Sequence, residues 1–308
     1  MFGVLEGFSA IWVVIGVGYL LGRSNALGPH GRPVLNKLTF FVASPALLFT
    51  TISTADPYAV VGPQLVIAGV AALVTMGASW ALTRWWLNRS SGERIISSMA
   101  ASTVNAGNLG LPIAAYVLGD ATLAAPVILF QLAFFTPMNL MMMDVATGHA
   151  SGGVKGFLKG IAKNPMIVAS AAALLVAFLR VDVPDIIETP IDLISGASIP
   201  AMLLAFGISL VGSRPLRKED HRRSDVWAAT AFKLVFHPLI AYVLAAFVFR
   251  LHGTELFGAV VLASLPTAQN IFVNASRYDT GVVVSKDIVL VTTVLGIPAM
   301  FLVAALLG

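Results

Sequence analysis

The sequence predicts an all-α integral membrane protein of ten transmembrane helices, arranged as two inverted five-helix repeats in which helices 4 and 9 are broken. Three observations predict it. Hydrophobic residues make up 57% of the 308 and charged residues only 11%, against about 25% charged in ordinary globular proteins, so a soluble fold would lack the polar groups to cover its surface. Ten apolar runs follow one another with short connections; at roughly 20 residues per bilayer crossing they leave no room for a soluble domain. Sixteen of the nineteen Lys and Arg residues fall in the odd-numbered loops, an alternation that dropping or adding one of the ten spans would destroy. The net charge of +4 therefore reports membrane orientation, and nucleic acid is set aside as a partner. With no cysteine in the chain, a disulfide framework, a thiol nucleophile and a thiolate metal site are all excluded. No cofactor or metal is expected.

The first run, Gly3 to Leu21, contains Glu6, has no positive residue ahead of it and no small-residue cleavage site after it. It reads as a retained helix rather than a signal peptide. Its Gly18 and Gly22, four apart, are expected to let a neighbouring helix approach closely. Four runs follow: Val34 to Ser53, Ala59 to Thr83, Ile95 to Gly119 and Leu123 to Met143. They complete a first repeat over 1–145, and a linker over 146–163 leads to the second repeat, 164–308. Its runs are Asn164 to Leu179, Ile186 to Val211, Val226 to Phe249, Leu256 to Ser276 and Val282 to Leu307. The basic loops run from Arg23, Arg32 and Lys37 in the first to Arg277 and Lys286 in the last, while the opposite side has only Arg180 and Arg250 near it. That asymmetry places the odd-numbered loops in the cytoplasm and both termini outside the cytoplasmic membrane. The stretch from Arg214 to Arg223 reads as a cytoplasmic loop, with contact to anionic lipid secondary. Glu6, Asp144 and Asp287, near span ends, are expected to be solvated.

An odd number of spans per half means that any repeat between the halves is inverted. PALLFTTIS from Pro45 answers PAMLLAFGIS from Pro200, and NAGNLGLPIAAY from Asn105 answers TAQNIFVNASRY from Thr267. Asn108 then matches Asn270. The second pair of segments also breaks the rules of a membrane helix. Helix 4 carries Asn105, Gly107, Asn108, Gly110 and Pro112; helix 9 carries Pro266, Thr267, Gln269, Asn270 and Asn274. Irregular backbone and buried amides survive in a bilayer only where protein or a watery cavity covers them. Paired interruptions in two halves point to a solute site near the midplane, where half-helix ends and amide donors could hold a small carboxylate without a fixed acid or base. The binding residues expected are Asn105, Asn108, Pro112, Thr267, Gln269, Asn270 and Asn274, with Gly107, Gly110, Pro266, Pro45 and Pro200 as hinges. The bland alternative is that the amides tie helices together by hydrogen bonds. In helix 8, Lys233 and His237 lie four apart on one face, which suggests proton coupling. Against it, Lys233 could snorkel to the cytoplasmic interface and His237 could bond a backbone carbonyl.

These residues resemble a known family, the auxin efflux carriers, including its bacterial malonate and malate carriers. The likeness rests on GFSAIWVVIGVGYLLGR at the start, FFVASPALLFTTIS in helix 2, NAGNLGLPI in helix 4 and LPTAQNIFVNASRY in helix 9. It runs the length of the chain and implies a scaffold part and a transport part in which broken helices 4 and 9 cross. Asn105, Asn108 and Pro112 would line the crossing from one half, and Pro266, Gln269 and Asn270 from the other. The long cytoplasmic loop of plant members is missing. Related sodium-coupled bile acid transporters use carboxylate in the sodium region, whereas neither broken segment here holds Asp or Glu, which disfavours sodium. The function expected is secondary active transport of small organic anions by alternating access; the alternative is an anion channel or facilitative pore. A second copy of the chain is a candidate partner. An intramembrane aspartyl protease is set aside, because Asp120 and Asp279 are expected at opposite faces and such chemistry needs two carboxyls that share a proton.

Overall fold

The computed structural model describes residues 2–55, 60–148, 156, 159, 162–212, 216 and 222–308, of which 2–8 by their backbone. Much of the predicted linker, including Lys155, lies outside the described residues, as do Arg214, Arg217, Lys218 and the side chain of Glu6. The described chain is helical: α1 (Phe2–Ser24), α2 (Gly31–Ser53), α3 (Pro63–Trp85), α4 (Ser91–Ser102), α5 (Ala106–Gly110 continued by Leu111–Tyr116) and α6 (Ala121–Thr147). There follow α7 (Pro165–Leu179), α8 (Asp185–Ser209), α9 (Arg223–Val248), α10 (Gly253–Ala263), α11 (Asn270–Arg277) and α12 (Val282–Leu307). Among the described residues the β structure is one isolated bridge. Six helices, α2, α3, α6, α8, α9 and α12, are long and apolar enough to cross a membrane, and shorter apolar helices accompany them. Their ends follow the local sequence. Ser90 and Glu93 form a reciprocal capping box at the start of α4, and the Asn164 side chain accepts from the backbone of Met166 at 3.0 Å to start α7.

Proline shapes the long helices in a recurring way. The π-turns Thr39–Ala43, Ala106–Gly110, Gln131–Phe135 and Phe232–Phe236 each end one residue before an X–Pro step, at Pro45, Pro112, Pro137 and Pro238 respectively. Proline lacks an N–H and its ring collides with the carbonyl four residues back, so widening the preceding turn relieves both problems without ending the helix. Pro45 is thus accommodated inside α2. In α8, Pro200 is exposed and follows an interruption of the helix at Ala197.

The helices pack in two groups. In the first, α1 lies on α8, and α2 lies on α7 and α8. As the glycine spacing predicted, α1 and α8 meet backbone to backbone: a Cβ at Gly18 would stand 2.5 Å from the Leu204 carbonyl oxygen, and one at Gly22 3.1 Å from Ile208 Cα. Gly207 of α8 completes the contact against Ile15 and Tyr19. The Ser44 and Ser198 hydroxyls join α2 to α8 at 3.0 Å. The second group holds α3 to α6 and α9 to α12, with α3 against α4, α6 and α9, and α12 against α9, α10 and α11.

Contacts between loops gather the basic segments at one end. Arg89, between α3 and α4, pairs with Asp225 at the start of α9 at 2.8 Å, and Arg222 reaches Glu93. Tyr278, after α11, donates to Asp144 at the end of α6, and the Leu216 backbone donates to Asp287 of α12. At the other end the Gln64 amide of α3 meets the Glu255 carbonyl of α10. Asp287, expected to be solvated, is only 3% exposed and accepts a hydrogen bond from the Leu216 backbone at 2.9 Å. Asp144 is half-buried under the Tyr278 hydroxyl.

Candidate substrate site at the helix crossing

Two helices stop in mid-course and their gaps meet. After α4 the chain is extended through Thr103 and Val104; after α10 it is irregular from Ser264 to Gln269. Val104 and Thr267 form an antiparallel bridge: the Asn105 N–H donates to the Pro266 carbonyl at 2.9 Å and the Ala268 N–H to the Thr103 carbonyl at 3.2 Å. Each gap thereby satisfies backbone groups that the other leaves unpaired, which is what an irregular stretch in an apolar surround requires. The first gap lies slightly earlier than the Gly/Pro cluster that announces it. Gly107 and Gly110 sit in the π-turn that opens α5, and Pro112 just beyond it, where the widened turn accommodates the ring and the missing N–H. Asp120, at the far end of α5, caps the first turn of α6, while Asp279 lies at the basic end beyond α11, so these two acids are apart as expected.

The predicted site residues find different surroundings. Thr267 is fully buried and committed: its hydroxyl donates to the Ala100 carbonyl at 2.7 Å, and its N–H to Thr292 Oγ1. Pro112 and Pro266 are buried packing elements, Pro266 against Gly296. Asn105 is 3% exposed, and its Nδ2 makes no hydrogen bond within the protein; Asn274 Nδ2 is likewise buried and unpaired. Asn108 is half-buried, and Gly107 and Asn270 are exposed. Gln269 spans the two helix groups: its Oε1 accepts from Arg32 at 3.1 Å and its Nε2 donates to Ser209 Oγ at 2.9 Å.

Gln269 also borders a cavity of about 1060 Å³ that lies between α1, α2 and α8 on one side and α11 and α12 on the other. Arg32, Lys37 and Lys286 line it, and among the described residues no acidic side chain does. Sequence reasoning used these cations only to set the orientation, because their convergence on one cavity depends on which helices pack together.

Lys233 does not reach the interface. It is fully buried, in the π-turn of α9, and its Nζ donates to the Ala263 carbonyl at 2.7 Å and lies 2.9 Å from His237 Nδ1. Ala263 ends α10, where helix carbonyls lack partners and the helix dipole is negative, so an ammonium group is well matched to the spot. His237, expected to find a backbone carbonyl, finds this lysine instead. A pocket of about 20 Å³, room for one water, lies beside His237, Ser102, Gln64 and the unpaired Gln131 amide.

A family model described as "Membrane transport protein" matches residues 4–152 and 154–304 of the chain. The chain belongs to the auxin efflux carrier family of membrane transport proteins. Among similar proteins is one of Rhizobium meliloti (strain 1021) named "Putative malonate transporter", 28% identical over 92% of this chain and 89% of its own. Another is an uncharacterized transporter of Methanothermobacter thermautotrophicus, 26% identical over 96% and 95%. A third is an uncharacterized transporter of Escherichia coli (strain K12), 24% identical over 87% and 86%. This auxin efflux carrier family member is a membrane transporter rather than an enzyme. The joined gaps, with their uncommitted amides, are where its sequence departs furthest from an ordinary membrane helix.

Proposed function

We propose that the chain is a secondary carrier of small organic anions, malonate, malate or a similar carboxylate, working by alternating access across the cytoplasmic membrane. The observation that carries this reading is the crossing: two interrupted apolar helices joined at Val104 and Thr267, with the Asn105 amide buried beside the join and without a partner. A buried donor left unpaired is costly, and a carboxylate that accepts from it would remove the cost. The name of the Rhizobium meliloti relative supports the substrate class.

In this reading α4 with α5 forms the fourth crossing and α10 with α11 the ninth, giving ten helices in two inverted repeats, 1–145 and 164–308, linked by 146–163. The group of α1, α2, α7 and α8 is the scaffold, and the other group moves against it about the hinges Pro45 and Pro200, Gly107, Gly110 and Pro266. The excess of Lys and Arg puts the basic end in the cytoplasm and the termini outside. The cavity at that end makes this an inward-open shape. Asn105, Asn108, Asn270 and Asn274 supply amide donors to the anion, and the enclosed Lys233–His237 pair is the place where a proton couples to the cycle.

The test is counterflow in liposomes preloaded with malonate: a carrier gives saturable, trans-stimulated uptake of labelled malate, whereas a pore gives flux that rises linearly with concentration. Losing one hydrogen bond to a charged group costs roughly 1.5 to 3 kcal/mol, about a tenfold to hundredfold loss of affinity. Asn108→Ala and Asn270→Ala should each show a loss of that size by calorimetry, with unchanged melting. Wild-type affinity in both would remove the crossing amides from the site.

A further inference from the structure

We propose that the Arg32 guanidinium is the group on which a substrate carboxylate docks in the cavity at the basic end, displacing the side-chain oxygen of Gln269. The inference rests on the carrier reading above and names a residue that reading does not use.

Arg32 is the second residue of α2, and its Nη2 reaches across the cavity to Gln269 Oε1, 237 residues away in sequence. Every other feature of its setting favours an anion. Among the described residues Arg32 has no ion pair, so a neutral amide oxygen is the partner of a permanently charged group. The other charged side chains lining the cavity are Lys37 and Lys286. Lys286 already lies 3.7 Å from Asp287, and among the described residues no acid pairs with Arg32. A cavity with low-dielectric walls and one sign of charge concentrates the opposite ion.

The chemistry of the exchange is simple. A guanidinium offers five N–H donors in a planar fork that matches a carboxylate with two parallel hydrogen bonds. Charge-assisted bonds of that kind are about twice as strong as those to a neutral amide. A carboxylate entering the cavity therefore takes the place of Gln269 Oε1. Gln269 stands one residue before α11 and also holds Ser209 of α8, so it ties the two helix groups together through both ends of its amide. Docking on Arg32 releases one of those ends. The anion is thus bound at the seam along which the groups must move, and its arrival weakens a contact that holds them in the inward-open shape.

The experiment measures malonate binding to the purified full-length protein by calorimetry and by thermal shift. Arg32→Gln should weaken binding about tenfold or more, and Arg32→Lys should restore part of the loss, since a lysine keeps the charge without the fork. Gln269→Glu places a permanent carboxylate against the guanidinium; it should abolish the thermal shift given by malonate while raising the melting temperature of the free protein. Lys37→Gln, which removes a cation from the same cavity but not the contact with Gln269, should change affinity by no more than about threefold at physiological salt. Wild-type affinity in a folded Arg32→Gln protein overturns the proposal. So does a Gln269→Glu protein that binds malonate normally, and this variant decides the matter if Arg32→Gln does not fold. A wild-type protein that binds neither malonate, malate nor any other short carboxylate overturns instead the carrier reading on which the inference rests.

Discussion

The two helix groups solve the problem of packing in a membrane differently. Where α1 meets α8 the contact is made by backbone: Gly18, Gly22 and Gly207 remove side chains so that the two helices touch, and a pair of serine hydroxyls joins α2 to α8. In the other group two helices stop in mid-course where they meet, and every buried ionisable side chain among the described residues, Asp225, Lys233, His237, Tyr278 and Asp287, is there. Close backbone contact has one good geometry, whereas hydrogen bonds through long side chains can be exchanged for others. In the proposed carrier the first group stays and the second is rearranged. Even within the second group neighbouring helices differ. Lys233 and His237 lie four apart in α9, whereas α3, packed against α9, carries the buried hydroxyls Thr75 and Ser79, also four apart.

The sharpest way to break this contrast is to add one methyl group to each side of it. Gly207→Ala puts a Cβ onto the backbone of Ile15 and Tyr19, which no rotamer can relieve; overpacking of this kind costs about 3 kcal/mol or more. Little folded, monodisperse protein should survive size-exclusion chromatography. Gly77→Ala in α3 meets nothing within 4 Å, and the gain in helix propensity of up to about 1 kcal/mol should leave the melting temperature equal or higher. Equal tolerance at both positions would end the distinction.

A smaller effect on stability, but a large one on transport, is expected at Lys233. Lys233→Met leaves the Ala263 carbonyl unpaired, a cost of about 1 to 3 kcal/mol, yet it also relieves the burial of an ammonium group, and such exchanges are often close to neutral. Melting should change little while uptake driven by a pH gradient disappears. His237→Gln should lose gradient-driven uptake as well but keep substrate exchange, which need not move the proton separately. Unchanged gradient-driven uptake in His237→Gln takes the histidine out of the coupling, and collapse of Lys233→Met on purification makes the lysine a structural strut.

The smallest effect concerns the Arg89, Asp225, Arg222 and Glu93 network at the basic end, ahead of the predicted fourth crossing. Burial alone would raise the Glu93 carboxyl, but the hydrogen bonds from Arg222 and Ser90 outweigh it and hold the group below its ordinary value of 4.5. The unfolded chain therefore binds the proton more readily than the folded one. The stability Glu93 contributes is present above pH 4.5 and is lost as pH falls through the lower, folded value. A part-exposed pair of this kind is worth only a few tenths of a kcal/mol, so Glu93→Gln should lower stability at pH 7 by no more than that and flatten the acid limb of a melting curve against pH slightly. An equal slope in both proteins would mean that the pair is a surface contact without energetic weight.

Much of this was legible in the residues. The apolar run from Val282 to Leu307 coincides with α12, and both interruptions fall within a few residues of the Asn, Gly and Pro clusters that signalled them. The glycine pair in α1 was legible as a packing surface, while its partner Gly207 was not, since nothing local distinguishes it. The π-turns were hidden for another reason: a proline inside an apolar run implies an adjustment but does not say whether the helix kinks, widens or stops. Asp287 looked like a solvated span end because its partner, the Leu216 backbone, lies 71 residues away.

By itself the sequence determined the helical class, where the chain can cross a bilayer, where it must break and which end is basic, because these follow from run length, backbone chemistry and the placement of charge along one strand of chain. Only the tertiary structure decided that Lys233 turns inward to the end of α10, that Arg32 reaches Gln269, and that Thr267 is consumed by Ala100 and Thr292 while Asn105 is left unpaired. A long polar side chain in an apolar surround goes to whichever unpaired group lies within reach, and what lies within reach is settled by helices that meet from distant parts of the chain.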